Sequence, residues 1–316
     1  MHRYVMRRLV LFVPTLFLAS LLVFTIMHIL PGDVALAILG TDNVNMRDVE
    51  NIRAQLGLNN PLPTQYGEWA WGMLKGDFGG RSLVDREPIR ANIGRRFPVT
   101  IQLAVLTIAI TLLVSLPLGV IAALKQDRWP DYVIRSMTIL GLAMPNFWVA
   151  LLVILGLVLI FSWGPPVMYR NFWNSPSTNF QIMIWPALVL AWGFSSYLVR
   201  VTRAQVLEVL RQDYVRTAHS KGLATRTVIT RHVMRNALIP VITLLGTHLD
   251  ATLGGSVILE SIFGVPGVGQ GIVQGANYRD WPVIQSLAMT LVFITLTTNL
   301  IVDLTYAFID PRIQYK

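Results

Sequence analysis

Cysteine is absent from the 316 residues. Disulfides, thiolate nucleophiles and Cys-ligated metals are therefore excluded. Charge is sparse: 14% of residues are Asp, Glu, Lys or Arg, against about a quarter in soluble domains. Lysine is scarcer still. The four are Lys75, Lys125, Lys221 and Lys316, and none follows a glycine. A Walker phosphate loop needs Gly-Lys followed by Ser or Thr, so the chain has no ATPase motif of that kind. The five histidines include no HExxH pair, which removes that zinc-hydrolase pattern as well.

What is abundant is apolar, 53% of the chain. A helix that spans a bilayer needs roughly 20 predominantly apolar residues. Six runs qualify, at about 9–30, 98–124, 134–163, 182–202, 237–259 and 282–308. Residues 99–124, 136–169 and 281–302 contain no Asp, Glu, Lys or Arg at all. Lipid offers no partner for a backbone N–H or C=O, so such runs must be helices. Strands of a barrel would be shorter and would alternate. The fold expected is an all-α integral membrane protein with six transmembrane helices. Pro14, Pro117 and Pro145 are expected to kink their helices without ending them. Arg3, Arg7 and Arg8 precede the first run, and Ala35-Leu36-Ala37 has the form of a cleavage site. The run is longer than a signal-peptide core, and Pro31-Gly32-Asp33 separates it from those alanines, so it reads as an uncleaved anchor.

Orientation follows from Lys and Arg in the short loops. With the N-terminus inside, segments 1–8, 125–135, 200–236 and 310–316 hold sixteen basic residues. The short outside segments 164–181 and 260–281 hold one each, Arg170 and Arg279. The long segment 31–97 holds eight, balanced by eight acidic residues. Both termini are thus expected on the cytoplasmic side. The formal charge of +9 is explained by this asymmetry and calls for no nucleic-acid partner.

One cytoplasmic stretch stands out: DYVRTAHSKGLATRTVITRHVMRN at 213–236. Leu207, Leu210, Tyr214 and Ala218 recur at helical spacing. Gly222 is placed to end that helix, because glycine takes the left-handed conformation at a helix C-terminus without penalty. A second short helix fits 226–235, with Val228, Ile229, His232 and Val233 on one stripe, and Pro240 opens the next span. The reading is a helix-turn-helix knob whose small tip residues, Ala218 and Gly222, would let a partner's cleft approach closely. As a plain solvated loop, the same arginines would only fix topology.

RTAHSKG resembles the EAA loop of binding-protein-dependent ABC importer permeases. Its Glu-Ala-Ala becomes Arg216, Thr217, Ala218, with Gly222 four residues on. His232, Val233, Met234 and Arg235 stand where Ile-x-Leu-Pro would. These departures resemble the dipeptide/oligopeptide branch, whose loop reads YVRTA…KGL…RH…RNALIP. The similarity extends along the chain: ILPGD (29–33), LGLNNPLPTQY (56–66), KGDFG (75–79), PVTIQLA (98–104), MPNFW (144–148), RVTRAQVLEVLRQDY (200–214), LESIFGVPGVGQ…ANYRDWPVIQ (259–285) and DLTYAFIDPRIQ (303–314). The pattern is that of the B-type subunit, with its long external segment after helix 1.

The resemblance implies a type I importer permease, divided as follows. Residues 1–30 are the N-terminus and first helix, 31–97 the external segment, 98–309 a five-helix core with coupling loop 203–236, and 310–316 the tail. It implies a C-type partner permease, two ABC ATPase subunits that bind the ATP and Mg, an external substrate-binding protein, and a prokaryotic inner membrane. No cofactor is expected on this chain. Ala218 and Gly222 would form the coupling tip, flanked by Tyr214, Arg216, His219 and Lys221. Cargo would be di- or oligopeptides, or within the same family nickel, glutathione or oligosaccharide. Segment 31–97 would close over the pore or meet the binding protein. The glycine-rich 264–275 reads as a tight turn at the pore mouth.

Ionisable residues inside spans usually face a bundle interior or a watery path. Asp250, Glu260 and Asp303 are the candidates for a translocation path, or for interhelical bonds that fix packing. An ion-driven carrier would share the buried Asp but has no use for such a knob, and its usual internal repeat is not visible. An intramembrane serine protease would need His248 and Ser256 to meet. They lie eight residues apart on one helix, about 12 Å along its axis.

Overall fold

The computed structural model describes residues 2–29, 46–55, 57–164, 166 and 168–309. Within these, the side chains at 2–4, 27, 48, 52, 55, 247–251 and 305–309 are outside the description. So are residues 30–45, most of the first third of the expected external segment, and the tail at 310–316. In chain order the helices are α1 (His2–Ile29), α2 (Met46–Gln55), α3 (Leu62–Lys75), α4 (Ile89–Leu124), α5 (Trp129–Ala143), α6 (Asn146–Phe161), α7 (Pro176–Leu210) and α8 (Asp213–Ser220). Then come α9 (Thr225–Thr227), a π-helical stretch (Val228–Val233), α10 (Met234–Phe263), α11 (Val268–Tyr278) and α12 (Trp281–Ile309). Among the described residues the only β contact is an isolated bridge between Arg81 and Pro88.

Among the described residues, five helical segments are long and apolar enough to cross a membrane: Val5–Ile26, Ile89–Leu124, Pro176–Leu210, Thr225–Gly246 and Trp281–Leu304. The expected span at 134–163 is different. It is two helices, α5 and α6, bent by 107° at the join. Pro145 does not merely kink this element; it ends one helix and starts another. The ring removes an N–H and disfavours α geometry at the preceding residue, and Met144 is accordingly extended at φ −94°, ψ 126°. The second span also begins earlier than its apolar run, at Ile89 in place of 98. Its extra turns carry arginines that find partners: Arg95 pairs with Glu87, and Arg96 bonds Asn92 at 2.7 Å.

The chain divides into two compact units, Met1–Ile101 with Pro266–Lys316, and Gln102–Val265. In the first, α1 packs along α12, with Phe12 edge-on to Phe293 at 6.5 Å between ring centroids. Phe24 of α1 meets Tyr66 and Trp69 of α3 at 5.4 and 6.0 Å, and Ser20 and Tyr66 share a 2.8 Å hydroxyl bond. The glycine-rich stretch expected to be a turn is largely helix, α11. Glycine weakens a helix by about 1 kcal/mol relative to Ala, but here it permits close packing. A Cβ on Gly271 would lie 2.6 Å from Leu287 Cδ1 and 2.8 Å from Arg96 Cδ.

The loop between α3 and α4 is tied to the α11–α12 turn. Buried Asp280 accepts the Ser82 hydroxyl at 2.5 Å and the Leu83 N–H at 3.2 Å. Ser286 donates to the Phe78 carbonyl at 2.6 Å. Asp280→Ala strands both donors, and a buried unpaired group costs about 1–3 kcal/mol. We expect limited proteolysis to cut within 76–88 faster in that variant while the chain stays in the membrane. Equal cleavage rates would show that the clamp does not hold the loop.

In the second unit α7 is the central helix, contacting α5, α6 and α10. Small residues set its separations. A Cβ on Gly119 of α4 would lie 2.6 Å from Thr202 Cβ of α7. A Cβ on Gly141 of α5 would lie 2.0 Å from Ser196 Oγ. Asn179 of α7 is buried and accepts from Gln102 at 2.5 Å, while it donates to the Arg170 carbonyl at 3.0 Å and to Tyr169 at 3.2 Å. Burial pushes the Tyr169 phenol above its usual range, so it stays neutral in this network.

Candidate functional site: the helical knob

Residues 211–237 form the knob, but not with the expected breaks. Helix α7 stops at Leu210, and α8 starts after a break at Arg211-Gln212. The helix expected to run continuously through Leu207, Leu210, Tyr214 and Ala218 is therefore two. Gln212 takes an extended conformation, φ −75° and ψ 147°. The break turns Tyr214 outward and brings Val215 inward. At the far end Gly222 takes φ +77°. The Leu223 N–H reaches back to the Ala218 carbonyl at 3.4 Å and the Gly222 N–H to His219 at 2.9 Å, a left-handed C-terminal cap.

The return arm is not a separate short helix. It passes through α9 and the π stretch straight into α10, with Pro240 inside α10 and not at its opening. The wider π turn places residues five apart on one face. Val228 and Val233 are so spaced, and both are fully buried. The Met234 N–H bonds the Ile229 carbonyl, also five back.

These valines define the inner face. Val206, Val215, Ala218, Val228, Val233 and Ala237 pack with Ala123 of α4 in one apolar cluster. Ala218 is therefore core: it is 6% exposed, and its small size serves the knob's own packing instead of a docking tip. Gly222 is exposed with nothing within 4 Å of an added Cβ, so its contribution is conformational. Tyr214, Arg216, His219 and Lys221 are all exposed. Tyr214 is oriented by Asn236, whose amide donates to its hydroxyl at 2.8 Å. Arg211, Arg226, Arg231 and Arg235 are exposed as well, so the outer face is strongly basic.

Arg203, on α7 just before the knob, was not among the candidate residues. Its Nε and Nη2 donate to Oδ1 and Oδ2 of Asp131 at 2.7 and 2.6 Å. Asp131 is fully buried and also accepts the Asp127 N–H at 3.0 Å. An apolar-run search treats both as loop charges. No sequence signal links residues 72 apart.

Of the candidate path residues, the Asp250 side chain lies outside the described residues. Glu260 is fully buried, and its carbonyl accepts from Val265 at 2.8 Å. Asp303 is paired with Arg8 at 2.8 Å across α1 and α12. A cavity of about 470 Å³ opens at the α5–α6 break, lined by Asn146, Gly193, Phe194, Tyr197 and Thr252 together with two leucines. Among the described residues that line it, Tyr197 is the one with an ionisable side chain.

Several membrane-length helices and a compact basic knob describe a multi-pass membrane protein. The chain belongs to the binding-protein-dependent transport system inner membrane component family, whose model matches residues 115–315. The N-terminal model of the same transport-system membrane components matches 1–104. A Brucella abortus (strain 2308) protein named as a peptide transport system permease is 39% identical over 315 residues, all of both chains. The glutathione transport system permease protein GsiC of Escherichia coli (strain K12) is 37% identical over 318 aligned positions, again all of both chains. A solved amino acid ABC transporter with histidines is 18% identical, with a TM-score of 0.50 over 66% of this chain and 90% of that one. At that identity it shows the fold alone.

Proposed function

We propose that this permease carries di- or oligopeptides, received from an external binding protein, and that the knob transmits the work of ATP hydrolysis from separate ATPase subunits. The substrate class rests on the full-length relatives named for peptide and glutathione transport; glutathione is itself a small peptide. The chain would pair with a second, C-type permease, and two ATPases would bind the ATP and Mg. The excess of Lys and Arg in the short loops supports a cytoplasmic side for the knob and both termini.

One observation carries the coupling role. The knob's inner face is locked into the apolar cluster, while Tyr214, Arg216, His219 and Lys221 project outward. A rigid element with an adaptable basic surface can be pushed as a unit, which is what a two-state switch requires. Tyr214→Ala with Arg216→Glu removes an aromatic anchor and reverses a charge without touching the core. The assembled transporter, purified through a tag on this chain, should lose most of its ATPase subunits while keeping its partner permease. Full retention of the ATPases with normal uptake would refute the docking role.

A further inference from the structure

The knob cluster draws on the ends of α4 and α7, on α8, on the π stretch and on the start of α10. It takes nothing from α5. Yet α5 begins only a few residues after α4 and leads to the 107° break and the cavity there. Helix α5 packs along α7, and two of the contacts at its first turns are Ile134 against Ala122 and Val199 and the Asp131–Arg203 pair. They differ in kind. An apolar contact tolerates sliding and rotation. A two-pronged guanidinium–carboxylate contact fixes distance and angle together, and the Asp127 N–H further fixes which way the carboxylate points. Arg203 precedes Val206 and Leu207 by one helical turn, so it shares their face of α7. Whatever moves the knob core moves Arg203 with it.

We propose that Asp131 and Arg203 are a positioning pair that passes movement of the knob to the broken α5–α6 element, and so to the cavity at its break. This rests on the reading of the knob as the ATPase-docking element. In this role the pair acts through the position of α5 and not through contact with cargo or nucleotide. Their effect is on how much transport each hydrolysis event yields.

The test uses the whole transporter in proteoliposomes with its binding protein. A pool of di- and tripeptides serves as cargo, read in the lumen by mass spectrometry beside phosphate release. Asp131→Asn and Arg203→Gln should retain the ATPase subunits and hydrolyse ATP, while peptide taken up per ATP falls about tenfold. Arg203→Lys keeps the charge but loses the fork, so it should fall between Arg203→Gln and wild type. The reversed pair, Asp131→Arg with Arg203→Asp, should recover part of the ratio. An unchanged ratio, an equal loss of hydrolysis and uptake, or a Lys variant no better than Gln each overturns the proposal. The Tyr214→Ala/Arg216→Glu transporter keeps the two claims apart. If it retains its ATPases, the docking reading fails, whatever the Asp131 variants do.

Discussion

Ala218→Arg should prevent the knob from folding and deplete the chain from the membrane. Ala218 is 6% exposed and packed among Val206, Val215, Val228 and Val233. Overpacking a filled core costs about 1–3 kcal/mol. Burying a guanidinium among these apolar side chains adds more. The expected loss is at least ~3 kcal/mol, a mechanism in the severe class of single substitutions. Gly222→Arg at the same tip should be much milder. An added Cβ meets nothing within 4 Å, so the cost is the left-handed backbone, about 1–2 kcal/mol. Thermal unfolding of the purified complex, with yield from membranes, ranks the two. If Ala218→Arg is as stable as Gly222→Arg, the inward placement of Ala218 is wrong.

That contrast shows what can be read from sequence here and what cannot. Apolar runs report a continuous requirement, the absence of partners in lipid, so the membrane-length helices are legible but their ends and breaks are not: the second starts at Ile89 in place of 98, and the third breaks at Pro145. Gly222 was legible for the same kind of reason: its position after a polar helical stretch asks for a left-handed cap, and φ is +77°. Ala218 was not, because small size has two uses, admitting a partner or filling a tight core. Choosing between them requires knowing where α7 breaks. The break at Arg211-Gln212 and the π stretch both shift the side-chain register, and neither leaves a composition signal. A period of 3.6 would not pair Val228 with Val233; a period nearer five does. Asp131 and Arg203 were hidden differently. Each looks like an ordinary topogenic loop charge, and only the fold brings them within 2.6 Å. Asp303 was legible as an ionisable residue inside a span, but its partner Arg8 stands at the far end of the chain.

Gly119→Leu should separate α4 from α7 and cost about as much as Ala218→Arg. Helices in lipid gain little from apolar burial between them, so close backbone approach at small residues supplies much of their packing. The Gly119 site shows this directly: a Cβ there would lie 2.6 Å from Thr202 Cβ, 2.7 Å from Thr202 Cγ2 and 3.0 Å from the Val199 carbonyl oxygen. Two of those three atoms cannot rotate away. Cβ moves only with the backbone of α7, and the carbonyl belongs to it. Relief therefore requires the helices to part, and they are tied together by the apolar cluster joining Ala123 to Val206 one turn further on. Gly119→Ala already introduces the clash, and Thr202→Gly removes its closest member. The double variant Gly119→Ala/Thr202→Gly should recover most of the stability lost by Gly119→Ala alone. The non-additivity expected for touching residues is about 0.5–3 kcal/mol, read as Tm in a double-mutant cycle. Strict additivity would mean that Gly119 and Thr202 do not meet, and that α4 and α7 are held apart by other contacts. Because Thr202 adjoins Arg203, widening this seam should also loosen the Asp131 contact. Gly119→Ala should then lower peptide uptake per ATP in the transporter, and Thr202→Gly in the same chain should bring it back.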